Sequence, residues 1–136
     1  MFNTPAVPDL TERPALVIAD TQATRLSALA ENALETSPDI AGRLLDELER
    51  ARIVPEADLP DDVVAMGSDV DFRDEVGGRD RSVRLVYPTD ADIDTHRISV
   101  MTPVGVALVG LSVGQAIDWQ VQDGSIRRLR IIAVRR

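Results

Sequence analysis

Apolar and polar positions alternate along this chain in two different rhythms. From Asp20 the apolar residues Leu26, Leu29, Ala30, Ala33 and Leu34 recur at the helical spacings i, i+3, i+4, i+7 and i+8, with Asp20 placed to cap the helix. Ser37-Pro38-Asp39 then reads as a restart: a serine cap, a proline at the first helical position and an acid that complements the helix dipole. The second helix carries Ala41, Leu44, Leu45 and Leu48 on one stripe, sets Asp46, Glu47, Glu49 and Arg50 elsewhere, and ends before Pro55. Two amphipathic helices joined so closely fold back antiparallel, each covering the other's stripe. At ~1.5 Å per residue, about 14 residues make an arm of roughly 20 Å.

Beyond Pro55–Asp62, whose acids read as a solvated linker, the period shortens to two. Val63–Glu75 reads as a strand broken near Gly67, Gly77-Gly78 as a tight turn, and Ser82–Tyr87 as the returning strand with Val83, Leu85 and Tyr87 on one face. After the Thr89–His96 loop, Ile98 and Val100 continue the strand pattern until Pro103, which has no amide donor, stops it. Val104, Ala107, Leu108 and Leu111 then form one face of a short helix closed by Gly114. A further strand carries Ile117, Trp119 and Val121 on one side, Asp123-Gly124 turns the chain, and Ile126–Val134 is the last strand. The expected architecture is α+β, with a helical hairpin in residues 1–54 and a compact antiparallel β domain with one short helix in residues 55–136. Met1–Arg13, with Pro5 and Pro8, reads as an extended lead, and Ala15–Ala19 as an apolar stretch packed on the rest.

The Ser99-Val-Met-Thr-Pro103 core and the Leu111-Ser-Val-Gly114 turn resemble the C-terminal domain of the Gre transcript-cleavage factors. Within that superfamily the likeness is to the Rnk family, named regulator of nucleoside diphosphate kinase. It continues through Leu48-Glu-Arg-Ala-Arg52, Met66-Gly-Ser-Asp-Val-Asp-Phe-Arg73 and Val83-Arg-Leu-Val-Tyr-Pro88, and so covers most of the chain from about Asp20. The resemblance implies an FKBP-like arrangement of the β domain. It also implies a partner, RNA polymerase, gripped on the rim of its secondary channel by the loop that here is Met101, Thr102 and Pro103, with threonine at the family's usual serine. In Gre factors a longer coiled coil carries acids at its tip that help hold a metal for RNA cleavage. Here Glu35 and Asp39 flank the tip, the Gre tip motif is not recognisable, and the arm is short. The expected protein is therefore a non-enzymatic regulator that competes with Gre-type factors. The family name supplies the other reading, control of nucleoside diphosphate kinase level or activity without contact to polymerase.

Composition narrows the chemistry. The chain has 136 residues and a formal net charge of -8. Residues 1–66 carry 13 acids against 5 arginines, whereas residues 67–136 carry 10 of each, so the acid excess lies in the N-terminal half. No basic face serves counterion release on duplex DNA, which argues against direct nucleic-acid binding. Every basic residue but His96 is arginine, so lysine chemistry is excluded; the lack of cysteine excludes disulfides and thiolate ligands, and fits a cytoplasmic protein. Met1–Thr11 lacks a signal peptide's basic start and apolar core, and no apolar run approaches the ~20 residues of a membrane helix.

The remaining candidates have ordinary alternatives. Asp90, Asp92 and Asp94 alternate like the start of a calcium loop but lack its glycine and distal glutamate, and read otherwise as a solvated loop. His96 has no second histidine to complete a ligand set or triad. Glu35 and Asp39 could hold a metal or simply flank a helix cap; Asp61-Asp62 reads as linker. Four aromatic residues, Phe2, Phe72, Tyr87 and Trp119, are too few to wall a prolyl-isomerase pocket, and Trp119 reads as core. No catalytic residue, metal site or cofactor is expected. Pro103 both starts a helix and offers a docking surface, and the two roles are compatible.

Overall fold

A computed structural model describes residues 14–120 and 125–136, the side chains of Trp119 and Gln120 excepted. Met1–Arg13, Val121 and the expected Asp123-Gly124 turn lie outside the described residues, as does the side chain of Trp119.

The hairpin forms as its periodicity predicts. Helix α1 spans Asp20–Ala33 and helix α2 spans Pro38–Arg50, at 14 and 13 residues. Leu26 and Ala30 of α1 and Ala41 and Leu44 of α2 are fully buried in one cluster, and each large aliphatic side chain so placed contributes about 1.5–3 kcal/mol. Two local details differ from expectation. Ala19 occupies the cap position of α1, and Asp20, inside the first turn, accepts the Thr21 N–H at 2.7 Å. Glu47 is buried, at 6% exposure, rather than on the solvent face. The neighbouring guanidinium of Arg50 makes this tolerable, donating to the Glu47 carboxylate at 2.7 Å and to the Pro14 carbonyl at 2.7 Å.

The hairpin is closed at its base by a pairing that periodicity does not reveal. Strand β1 (Val17–Ala19) enters α1 and strand β2 (Arg52–Val54) leaves α2, and the two pair in parallel, Val17 with Arg52 through Ala19 with Val54. Arg52 N–H also donates to the Leu16 carbonyl at 2.8 Å.

The second sheet comprises β3 (Asp69–Asp74), β4 (Arg79–Val86), β5 (Arg97–Ser99), β6 (Ala116–Gln120) and β7 (Ile126–Arg135), in the order β5-β4-β3-β7-β6. It is mixed rather than antiparallel throughout, because the 88–96 connection folds into two short 3-10 turns and returns β5 parallel to β4. Residues 63–68 do not extend β3: Val64 exchanges hydrogen bonds with Gly110 and Leu111, and Gly67 turns the chain at φ 86°. The short helix α3, Pro103–Leu108, ends before the expected Leu111, and the glycine that follows it is Gly110, at φ 83°, rather than Gly114. A tertiary contact explains this: a Cβ on Gly110 would meet Leu16 and Ile18 at 3.2 Å.

One face of the sheet joins α3 and the hairpin in a single core, which runs from Leu16, Leu26 and Leu44 through Val70, Phe72 and Leu85 to Leu108 and Ile131. At the junction Arg25 of α1 stacks over the Tyr87 ring, 3.7 Å from its centroid. The other face is a lattice of Arg–carboxylate pairs, with Asp69 bonded by Arg84, Asp71 by Arg135, Asp80 by Arg73 and Asp118 by Arg128.

Candidate functional site

Met101, Thr102 and Pro103 form the corner between β5 and α3, and the local sequence explains its sharpness. Val100 is fully buried and its N–H bonds the Val86 carbonyl at 2.8 Å, which anchors the strand end. The Ser99 hydroxyl then accepts the Met101 N–H at 2.9 Å, bending the chain off the sheet. Thr102 closes the corner twice over: its hydroxyl donates to the Ser99 carbonyl at 2.7 Å and accepts the Gly105 N–H at 3.1 Å, capping α3. Pro103 is the first helical residue, where a missing N–H costs nothing. Gly105 is required by packing, since a Cβ there would lie 2.2 Å from the Ser99 carbonyl oxygen and 2.7 Å from Val100 Cα.

The corner is therefore rigid, and its three residues are unequal. Pro103 is exposed, whereas Met101 and Thr102 are half-buried, Met101 packed against the core. No ionisable group sits among the three, so the corner offers shape and an apolar edge rather than reaction chemistry.

The tip residues are placed differently. Glu35 lies in the turn after α1 and Asp39 in the first turn of α2; both are exposed, and neither has an ion pair or side-chain hydrogen bond among the described residues. The turn is held by backbone instead, Ser37 N–H to the Ala33 carbonyl at 2.8 Å, and the Ser37 hydroxyl makes no cap bond. Among the described residues no three histidine or acidic side chains gather into a group able to hold a metal ion. In the 88–96 connection, the Asp92 carboxylate accepts the Asp94 N–H at 3.0 Å and so caps a 3-10 turn.

Electrostatic perturbation is concentrated on the sheet. Hydrogen bonds from Arg84 hold the Asp69 carboxyl below the usual range; Arg135 and then Ser82 do the same for Asp71, Arg73 for Asp80 and Arg128 for Asp118. Asp74 is also lowered: burial opposes its charge, and the Gly77 N–H, Arg127 and the Val76 N–H together outweigh it. Sequence reading missed this lattice, although the alternation Asp69-Val-Asp-Phe-Arg73 opposite Ser82-Val-Arg84 was its signal.

Comparison with known proteins follows the same division. Residues 59–136 match the family model described as transcription elongation factor GreA/GreB, C-terminal. The sheet, α3 and the corner thus form a GreA/GreB-type C-terminal module. Residues 14–54 match the Rnk N-terminus model. The chain is also 38% identical over 120 residues to the regulator of nucleoside diphosphate kinase of Escherichia coli K12, covering 88% of each chain. It is similar to transcription elongation factor GreA of Rhodospirillum rubrum, 34% identical over 122 residues that cover 84% of this chain and 78% of that one. A solved structure, a prokaryotic transcription elongation factor GreA/GreB from Nitrosomonas europaea, superposes with a TM-score of 0.72 at 37% identity, covering 91% of this chain and 100% of that one. The chain belongs to the Rnk family of the Gre superfamily. No helix among the described residues is long and apolar enough to cross a membrane.

Proposed function

We propose that this protein is a non-enzymatic bacterial transcription regulator that docks its C-terminal module on RNA polymerase at the rim of the secondary channel. There the short hairpin obstructs the entrance and competes with Gre factors. The observation that carries this reading is the joining of a GreA/GreB-type module to helices of only 14 and 13 residues. At 1.5 Å per residue the arm extends roughly 20 Å. A grip of the Gre kind on an arm so short occupies an entrance without delivering its tip to a distant reaction centre. Within the module, Met101, Thr102 and Pro103 are the docking residues, with exposed Pro103 the primary contact. Exposed Glu35 and Asp39 give the leading end of the arm negative charge.

Immobilised wild-type protein is expected to retain RNA polymerase and to lose it to excess GreA, and Pro103→Ala to retain several-fold less at an unchanged melting temperature. Failure of the wild type to retain polymerase refutes the proposal. The likeness to the E. coli regulator, 38% over 88% of the chain, favours a second reading, regulation of nucleoside diphosphate kinase without polymerase. Unchanged turnover of the purified kinase on adding the protein excludes a direct effect and leaves control of its level.

A further inference from the structure

The outer face of the five-stranded sheet holds a groove of about 360 Å³ lined by Asp69, Ser82, Val83, Arg84, Thr95, His96, Arg97 and Arg135. Strand register puts four charged residues in one row across it: Arg97 is the partner of Arg84, Arg84 of Asp69, and Asp69 of Arg135. Three guanidinium groups thus share a row with one carboxylate. Arg84 is taken up by Asp69, at 2.8 and 3.1 Å, and Arg135 by Asp71 of the next rung, at 3.0 Å. Arg97 has no carboxylate partner among the described residues, although Asp90, Asp92 and Asp94 are near in sequence. Like charges directly opposite on adjacent strands destabilise a sheet. Arg73 and Arg130 also stand opposite each other on this face, but each reaches an acid, Asp80 and Glu75 respectively; among the described residues Arg97 faces an arginine with no acid of its own.

A second feature falls at the same place. His96 is the non-glycine with positive φ, 59°, among the described residues, and its carbonyl accepts the Arg84 N–H at 2.8 Å. That conformation is strained in a non-glycine residue and persists where the surroundings enforce it.

We propose that this groove, centred on Arg97 and Arg84 and flanked by His96 and Arg135, is a binding site for a compact phosphoryl anion. Guanidinium forks match phosphate oxygens in pairs, and an anion between Arg97 and Arg84 removes the repulsion between them. The volume suits a small ligand of diphosphate size or larger. A nucleic-acid backbone fits less well, because Asp71, Asp80 and Asp118 lie along the continuation of the face. The lining residues include no phenylalanine, tyrosine or tryptophan to stack on a base, so recognition falls on the phosphates.

Isothermal titration of the full chain with pyrophosphate at 0.15 M salt tests the site, with Arg97→Gln as the disrupting variant and Arg79→Gln, exposed and outside the groove, as the control. Saturable binding is expected in the wild type and in Arg79→Gln, at least tenfold weaker in Arg97→Gln. Pyrophosphate should raise the melting temperature of the first two proteins only. Equal affinity for adenosine diphosphate and pyrophosphate points to the phosphates of a nucleotide as an equally good source, and stronger binding of pyrophosphate to a free inorganic anion; both support the site. Absence of saturation, equal weakening in both variants, or tighter binding of tetraglutamate than of pyrophosphate overturns it.

Discussion

In the hairpin, Leu26 and Ala30 share a buried cluster with Ala41 and Leu44, and the carboxylates of Glu31, Glu35, Asp39, Asp46 and Glu49 stand exposed without partners among the described residues. The sheet buries one face in the same way but commits its outer carboxylates to arginines, as Asp69, Asp71, Asp80 and Asp118 illustrate. The charge of one region is thus largely spent on its own fold, while that of the other faces whatever approaches. Isolated surface pairs are worth little each, and cross-strand pairs of opposite charge add modestly to a register that the buried face already sets. Exposed acids on a narrow arm add nothing to its packing, so their effect falls on its surroundings.

The comparison breaks most severely at Gly105. Gly105→Ala forces a Cβ to within 2.2 Å of a backbone oxygen, and a loss of roughly 4 kcal/mol or more is expected by urea denaturation, at the extreme for single substitutions. Next comes Leu44→Ala, which opens a cavity where hairpin and sheet share a core and should cost about 3 kcal/mol. Because that core is continuous, unfolding followed by helical circular dichroism and by the tryptophan should remain one coincident transition; two separate ones would show the regions to be independent. Thr102→Ala removes the cap of α3 and should cost about 1 kcal/mol, with Thr102→Ser restoring most of it.

The smallest effect is the response to mild acid. Hydrogen bonds from their arginine partners hold the folded pKa values of Asp69, Asp71, Asp80 and Asp118 below the ordinary carboxylate value. A depressed folded pKa gives stability that is full well above the unfolded value and is lost as pH falls through the folded one. The melting temperature should therefore hardly change from pH 7 to pH 5 on account of the sheet and should fall below about pH 4. In Asp71→Asn that acid-side fall should be shallower, and a fall of the same size in this variant would assign it to other groups.

Much of this architecture was legible wherever the cause was local. Pro38 and Pro103 mark the first residues of α2 and α3, and the 3.6-residue stripe of Leu44 and Leu48 places the buried face of α2. What stayed hidden depended on distant partners. Three-residue strands such as β1 and β2 carry no periodicity, and each exists because the other lies alongside it, more than thirty residues away in the chain. Gly110 and Gly114 both have positive φ, and only the approach of Leu16 and Ile18 shows why the first stands at the end of α3. The corner at Met101, Thr102 and Pro103 was visible as a motif, but the twofold use of Thr102 was not. The phosphoryl groove could not be foreseen, because Arg84 and Arg97 become neighbours through a parallel pairing where an antiparallel sheet was expected.

The parallel pairing of β1 with β2 has a mechanical corollary. The chain enters and leaves the two-helix projection through strands laced side by side, with Arg50 strapping the far end of α2 to the Pro14 carbonyl. A projection tethered by one strand can swivel; one clamped by both must tear two seams at once, so a force applied at its tip is passed to the sheet as by a stiff lever.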